Sequence, residues 1–348
     1  MISQTPLVMA GRFAVRHLWF LLQTVFWVVT LVFFLTKLIP GDPARVAAGR
    51  FATPDQVEHM RTVLHLDQPV VMQYAGFLGQ MVRGDLGRST TTHQPILSDL
   101  ATRLPMTLQV VAIGMAMTAL VGIGLGTIAA SARQKKGDLT VRILLALAGG
   151  IPIFWAAIIL QWWLGHRLQL FPISGATSYA LAMPARTGAT VIDAALAGNG
   201  EAVWDAFIHL LLPAICLSLP FIAVVGRNVR SSMIGALSSD YVLFSIACGA
   251  GPVRVAFHAL RATIAPTLTI LGMQCGWMTS ASLLIETTFG IPGIGAYLAA
   301  AAVNQDIFAV LGCVLVIGTV FACANLIVDL LQIWLDPRLR STAASQGA

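Results

Sequence analysis

Glu286 is the residue whose type and position could do the most chemistry in this sequence. It follows directly on an apolar run, Ile264–Ile285, that contains no charged residue. A carboxylate at membrane depth is costly to hold there, so it marks a functional position unless something pairs it. It can meet an ammonium group or a cation in transit, or it can be paired within a cap at the membrane edge. Gln274, Thr279, Ser280 and Ser282 put a polar face on the same run. Such a face lines a water-filled path or bonds to neighbouring helices. In the last apolar run Asn325 and Asp329 stand i, i+4 and share a helix face. They line an inner gate, or they bond to arginines and serines of an inner loop. Glu286, Gln274, Ser280, Ser282, Asn325 and Asp329 are thus the candidates for a translocation path.

Other chemistry finds no footing. No G-x-S-x-G, H-E-x-x-H or G-x-x-x-x-G-K-[ST] pattern occurs. Without a phosphate-binding loop the chain cannot itself be an ATPase, so energy must come from a separate subunit or an ion gradient. His59 and His65 are six apart and do not share a helix face as two ligands of one metal would. Cys216, Cys248, Cys275, Cys313 and Cys323 contain no C-x-x-C pair and mostly lie in apolar runs, as small core residues do. No catalytic residue, metal site or cofactor is expected.

The elements that hold these residues follow from composition. Of 348 residues, 57% are hydrophobic and only 10% are charged, against about 25% charged in soluble domains. A soluble enzyme and a disordered chain are both excluded. The net charge of +6 does not point to nucleic acid, because the basic residues fall between apolar runs and form no stripe with aromatics. A helix needs about 20 apolar residues to cross the hydrocarbon core. Six runs qualify: Leu18–Ile39, Met106–Ala132, Ile143–Gly165, Ala206–Gly226, Ile264–Ile285 and Ile307–Val328, the last continuing to about Leu335. In lipid they must be helices, since backbone polar groups cannot stay unpaired there. The first run is long for a signal peptide, and no small-residue cleavage site follows, so it is a retained span.

Orientation follows from Lys and Arg. With the N-terminus inside, the inner segments carry Arg12, Arg16, Arg133, Lys135, Lys136, Arg142, Arg227, Arg230, Arg254, Arg261, Arg338 and Arg340. The short outer loops carry only Arg167 and Arg186. The expected fold is an all-α polytopic membrane protein. It has six transmembrane helices, both termini cytoplasmic, and a helical extracytoplasmic cap between the first and second helices. Its parts are the N-terminus and first span (1–39), the cap (40–105), a five-span core (106–340) with an inner loop at 227–262, and a tail (341–348). In the cap, Thr53-Pro54-Asp55-Gln56 reads as a capping box ahead of a short helix. Val71, Tyr74, Phe77, Leu78 and Met81 mark a second helix, and Gly84-Asp85-Leu86-Gly87 marks a turn. In the inner loop Ser239-Asp240 caps a short helix starting at Tyr241, Gly249-Ala250-Gly251-Pro252 stops it, and a second helix runs from Val253 to Arg261. Apolar residues there, in a loop that would otherwise be solvated, point to a protein partner. Gly122-x-x-x-Gly126 and Gly272-x-x-x-Gly276 have helix-packing spacing.

The order of local motifs resembles one family, the inner-membrane permeases of ABC importers for dipeptides, oligopeptides and nickel, in particular the first of their two permease subunits. Carrying it are Leu38-Ile39-Pro40-Gly41-Asp42-Pro43, Gly84-Asp85-Leu86-Gly87-Arg88-Ser89 and Arg103-Leu104-Pro105-Met106-Thr107-Leu108. His209-Leu210-Leu211-Leu212-Pro213, Arg227-Asn228-Val229-Arg230-Ser231-Ser232-Met233 and Phe289-Gly290-Ile291-Pro292-Gly293-Ile294-Gly295 follow. Asn325-Leu326-x-x-Asp329-Leu330-Leu331 and Leu335-Asp336-Pro337-Arg338-Leu339-Arg340 close the series. The family's inner-face signature resembles D-Y-V-x-x-A-R-A-K-G; here Asp240, Tyr241, Val242, Ala247 and Gly249 agree, while Ile246 and Cys248 replace the two basic residues. The resemblance implies that Asp240, Tyr241, Val242, Ala247, Gly249 and Arg254 dock an ATPase. It implies a second homologous permease, two ABC ATPase subunits, an extracytoplasmic substrate-binding protein and a multi-pass place in a bacterial inner membrane. It implies import of di- or oligopeptides, with nickel or a metallophore or opine as alternative cargo. An ion-coupled secondary transporter is the alternative from a different class. A membrane enzyme would need paired acids or histidines near one face, which are lacking.

Overall fold

The computed structural model describes residues 19, 22–31, 33, 34, 37, 42–49, 52–63, 65–181 and 184–335; at Pro43, Val46, Ala47, Asp329 and 331–335 it describes the backbone alone. Arg12, Arg16, the Leu38–Gly41 part of the first motif and the Asp336–Arg340 block lie outside the described residues. Among these residues the only β pairing is an isolated bridge between Arg88 and Pro95, and the rest of the regular structure is helical.

The first apolar run contributes α1, Leu22–Leu31. Three short helices follow, α2 Pro43–Ala48, α3 Pro54–Val63 and α4 Val70–Val82. The Thr53 capping box forms as the sequence predicts: the Thr53 N–H donates to Gln56 Oε1 at 2.9 Å, and the Gln56 N–H donates to Thr53 Oγ1 at 3.4 Å. The apolar face of α4 packs on the first run, with the Tyr74 and Phe77 rings 5.2 and 5.5 Å from Phe33.

The remaining helices are α5 Ile96–Ser131, α6 Lys136–Gly150, α7 Ile153–Leu160, α8 Thr190–Leu196, α9 Gly200–Leu237, α10 Asp240–Ala247, α11 Pro252–Phe289, α12 Ile294–Val303 and α13 Ile307–Leu335. Among the described residues four segments are each long and apolar enough to cross a membrane: α5, α9, α11 and Ile307–Val328 of α13. Three helices outrun the apolar runs that announced them: α5 passes through Pro105 back to Ile96, and α9 and α11 extend at both ends, with Pro213, Pro220 and Pro266 inside them without breaking them. Membrane helices tolerate this when neighbours satisfy the freed backbone groups. Hence the expected second inner-loop helix, Val253 to Arg261, is the first part of α11 and not a separate element.

The expected third span is also corrected. The run Ile143–Gly165 is not one straight helix: α6 and the helix from Ile153 to Arg167, which ends in a π-helical turn at Gln161–Arg167, are bent by 101°. Ile151 is extended (φ −84, ψ 127), the conformation that the residue before a proline prefers. Pro152 has no N–H to continue the ladder.

The centre of the fold is the pairing of α5 with α9. Gly126 lies so close to α9 that a Cβ there would stand 2.7 Å from the Gly226 carbonyl oxygen and 2.8 Å from Val229 Cβ. The second glycine pair works likewise: a Cβ on Gly272 or Gly276 would collide with Val328 or Phe321 of α13. Both predicted small-residue pairs therefore set backbone separation between long helices.

Candidate functional site: an exposed apolar helix and a buried carboxylate clasp

At one end of the bundle α10 stands on the long helices through Val242, which is fully buried. It begins at Asp240, with Ser239 as the N-cap residue. Its other apolar residues face outward. Tyr241, Leu243 and Ile246 are about half exposed and Phe244 is 72% exposed. Val253 and Phe257, at the start of α11, extend the same surface. Ala247 and Arg254 are exposed as well. Gly249 turns the chain with φ +84, a conformation costly for any residue with a Cβ, although a Cβ there would meet open space. Folding has left this apolar surface uncovered, as interaction sites do. The structure thus gathers Tyr241, Ala247, Gly249 and Arg254 on one exposed end and uses Val242 as the anchor.

The same end holds a polar fastening that sequence reading missed. Arg230 of α9 grips Asp138 of α6 with two parallel bonds, Nε to Oδ1 at 2.7 Å and a terminal nitrogen to Oδ2 at 2.8 Å. Bidentate geometry of this kind fixes orientation as well as distance. It ties the base of the bent α6–α7 segment to α9.

At the other end of α11 the structure places Glu286 wholly inside the protein. Thr107 of α5 donates its hydroxyl to Glu286 Oε1 at 2.7 Å. The Ala296 N–H donates to Oε2 at 3.0 Å. Thr107 Oγ1 in turn accepts the Ile294 N–H at 2.8 Å. Ile294 and Ala296 belong to the first turn of α12, whose N–H groups have no partner within the helix and carry the positive end of its dipole. A carboxylate is the natural complement.

The glycines of Phe289-Gly290-Ile291-Pro292-Gly293-Ile294-Gly295 now have reasons. Gly290 ends α11 in the left-handed region, φ +63. A Cβ on Gly293 would run into the Glu286 carboxylate, and one on Gly295 into the Leu283 backbone as well as that carboxylate. Ser282 and Thr279 are buried and bond back to their own helix, at 2.8 and 2.9 Å. Ser280 is exposed, Gln274 and Asn325 are half-buried, and the side chain of Asp329 lies outside the described residues. The structure brings Ser282 to the Glu286 face, one turn away, and leaves Ser280 on another.

Four more acids carry the loops at the Glu286 end, and three of them carry no readable local signal. Asp99 accepts from the Tyr297 hydroxyl at 2.9 Å and from Thr92. Asp205 accepts the Ser178 hydroxyl at 2.6 Å and the Thr177 hydroxyl at 2.8 Å. Asp193 accepts the Thr187 N–H and hydroxyl at 2.7 and 2.8 Å. Burial alone would raise the Asp193 carboxyl, but the donors of Thr187 and Gly188 outweigh it and hold it below the usual carboxylate range. Asp306 accepts the Ser89 hydroxyl at 2.6 Å and caps α13 through the Ala309 N–H at 3.2 Å. Only this last one, an aspartate directly before an apolar run, had a readable signal.

A bundle of long apolar helices of this kind is a multi-pass membrane protein, here with an exposed apolar surface at one end. The chain belongs to the family of binding-protein-dependent transport system inner membrane components, which matches residues 122–341. The N-terminal part of the membrane component of such binding-protein-dependent systems matches residues 10–111. The chain is 36% identical over 327 residues to the probable D,D-dipeptide transport system permease protein DdpB of Escherichia coli K12, covering 93% of this chain and 96% of that one. It is 36% identical over 331 residues to the di/tripeptide transport system permease protein DppB of Pseudomonas aeruginosa, covering 94% and 98%. To the dipeptide transport system permease protein DppB of Alkalihalophilus pseudofirmus it is 31% identical, covering 94% and 99%. It is thus a multi-pass inner-membrane transport component.

Proposed function

We propose that this chain is one of two permease subunits of an ATP-driven importer of short peptides. The observation that carries this is α10, an apolar helix held by one buried residue and otherwise presented to a partner. An ion-coupled transporter or a membrane enzyme leaves that surface unexplained. The relatives above are named for peptide transport, and that is the ground for the cargo; none of those three is named for nickel.

In this reading the chain crosses the membrane six times with both termini inside, the bent α6–α7 segment serving as one crossing. The 40–105 segment caps the outer side and receives a substrate-binding protein. An ATPase seats α10 and the start of α11 in a groove, and a second ATPase serves the partner permease. ATP binding closes the ATPases and moves α10. Because α11 runs unbroken from Pro252 to Phe289, movement at the α10 end reaches the Glu286 end as rigid-body rotation, as alternating access requires. Gln274 and Ser280 of α11, with Asn325 and Asp329 of α13, are the residues assigned to the path. Glu286 and Ser282 hold the outer turn that the path passes.

Affinity purification of the chain from native membranes in mild detergent, with mass spectrometry of its companions, tests the assembly. A second permease and ATPases with phosphate-binding loops are expected; isolation of the chain alone under several detergents would sink the reading. Gly249→Trp tests the docking end. It places bulk where φ is positive, so the protein should insert and assemble while ATP hydrolysis no longer responds to cargo-loaded binding protein. Normal stimulation in that variant removes α10 from the coupling role.

A further inference from the structure

We propose that a cavity beside the Glu286 clasp binds the free carboxylate of a short zwitterionic peptide, with Arg103 as its counter-ion. The inference rests on the peptide-import reading above and assigns a cargo subsite within this subunit. The cavity, about 310 Å³, lies between the start of α5, the 177–194 segment, α9 and Pro292. That is at the lower end of small-molecule sites, about 300 Å³ and upward. Met106, Ala206 and Pro292 supply apolar walls.

The polar groups of the wall sort themselves by what they already bond. The Thr102 hydroxyl donates to the Ser98 carbonyl at 3.1 Å, and the Thr177 hydroxyl donates to Asp205. Arg103 is different. Its guanidinium lies over the Tyr297 ring, 4.6 Å from the centroid, which fixes its plane. Among the described residues no carboxylate lies within ion-pairing distance of it, and its buried Nε has no hydrogen-bond partner. Asp99, one turn earlier, is engaged with Thr92 and Tyr297. The Thr190 hydroxyl, in the same wall, is also buried without a partner. A planar guanidinium and a hydroxyl with unused donors are the complement of a carboxylate.

The charge of the wall narrows the ligand further. Asp193 lines the same cavity, and its Oδ2 accepts a long bond from the Gly188 N–H, 3.2 Å. A carboxylate there opposes a multiply charged phosphate but leaves an acceptor for an ammonium group. One positive and one negative wall residue around a small, mostly apolar space fit a molecule with both charges at its ends.

The test uses the purified importer with its partner subunits in lipid nanodiscs, and equilibrium dialysis with labelled dialanine and dialanine amide. The wild type should bind dialanine about tenfold more tightly than the amide, the scale of one good charged contact. Arg103→Gln should erase that preference by weakening dialanine alone, and Arg103→Lys should restore part of it. A preference that survives Arg103→Gln overturns the proposal, and so does equal weakening of both probes. Should Arg103→Gln fail to assemble, Thr190→Val decides: its hydroxyl has no partner to lose, so weaker dialanine binding at unchanged melting temperature supports the site, and unchanged binding overturns it. Uptake with the binding protein present separates the two readings. Peptide uptake without binding of either probe rejects the cavity and keeps the import function. Arg103-dependent binding without peptide uptake keeps the cavity and rejects the import function. Loss of binding-protein capture in Arg103→Gln, with the dialanine preference intact, makes Arg103 a docking contact and rejects the cargo site.

Discussion

The two ends of α11 are built with the same local grammar and meet opposite surroundings. At each end a short helix adjoins the long one across a glycine with positive φ, Gly249 at +84 and Gly290 at +63. At the first, Tyr241, Leu243, Phe244, Val253 and Phe257 are exposed; at the second, Phe289, Ile291, Ile294 and Tyr297 are buried. At the first, the short helix is held by one apolar anchor. At the second, it is held by an apolar cluster and by a carboxylate bonded to the first turn of α12. A turn's shape is therefore set by local sequence, whereas its role depends on what packs against it. A helix left uncovered is free to follow a partner, and one clasped from both sides moves only with the body it is clasped to.

The comparison breaks first at Glu286. Glu286→Leu removes the acceptor of two buried donors and leaves them unsatisfied, at a cost of about 3 kcal/mol or more. Melting in detergent should fall steeply, while Glu286→Gln, which keeps one acceptor oxygen, should fall by roughly a third as much. A Leu variant that melts with the wild type would show that the clasp carries no load. Gly293→Ala should cost about 1–3 kcal/mol, because its methyl group meets the Glu286 carboxylate. In a Glu286→Ala background the same change should cost much less. Equal costs in the two backgrounds would mean that the crowding lies elsewhere.

Why one end was readable and the other was not follows from distance along the chain. The α10 helix, the Gly249 stop and the four-residue spacing of Gly272 and Gly276 are local patterns, and sequence spacing exposes them; the expected Ser239 cap does not form, its hydroxyl donating instead to the Ala236 carbonyl. Glu286 was legible as a residue at odds with its surroundings, but its partner Thr107 lies 179 positions away. No local pattern pairs a threonine in one apolar run with a carboxylate at the end of another. Asp138 and Arg230, 92 apart, were hidden for the same reason. The bend at Ile151-Pro152 was hidden differently. Its residues are apolar, so hydropathy runs straight through it, while four other prolines in equally apolar company leave their helices whole. What separates Pro152 is the extended Ile151 before it, and that is a tertiary outcome.

A smaller effect is expected at the exposed end. Phe244→Ala removes the most exposed ring of α10 without touching the anchor Val242. Stability of the isolated chain should hold, while affinity for the ATPase partner should fall about tenfold, the loss usual for a central aromatic at an interface. Titration of the nanodisc-embedded permease pair with the ATPase measures this directly. If the variant loses stability and keeps affinity, α10 belongs with the clasped end and the contrast between the two ends fails.

The smallest effect sharpens the clasped end by charge. The Asp193 carboxyl is held below the usual range by the Thr187 and Gly188 donors despite its burial. A group with a depressed folded value stabilises fully above its unfolded value, about 4 for a carboxylate, and that contribution is lost as pH falls through the folded value. Acidification should therefore loosen the 187–197 segment, read as faster amide exchange there than in the long helices. Asp193→Asn cannot take up this proton, so its exchange below pH about 4 should change less with pH than that of the wild type. The turn at Gly249 lies at the opposite end, away from this segment, and serves as the internal control. If exchange at 187–197 and at Gly249 accelerates equally with acid, and Asp193→Asn leaves both slopes unchanged, the carboxylate is not what holds this loop. The fastening at that end would then rest on Glu286, on Asp99, Asp205 and Asp306, and on the apolar cluster.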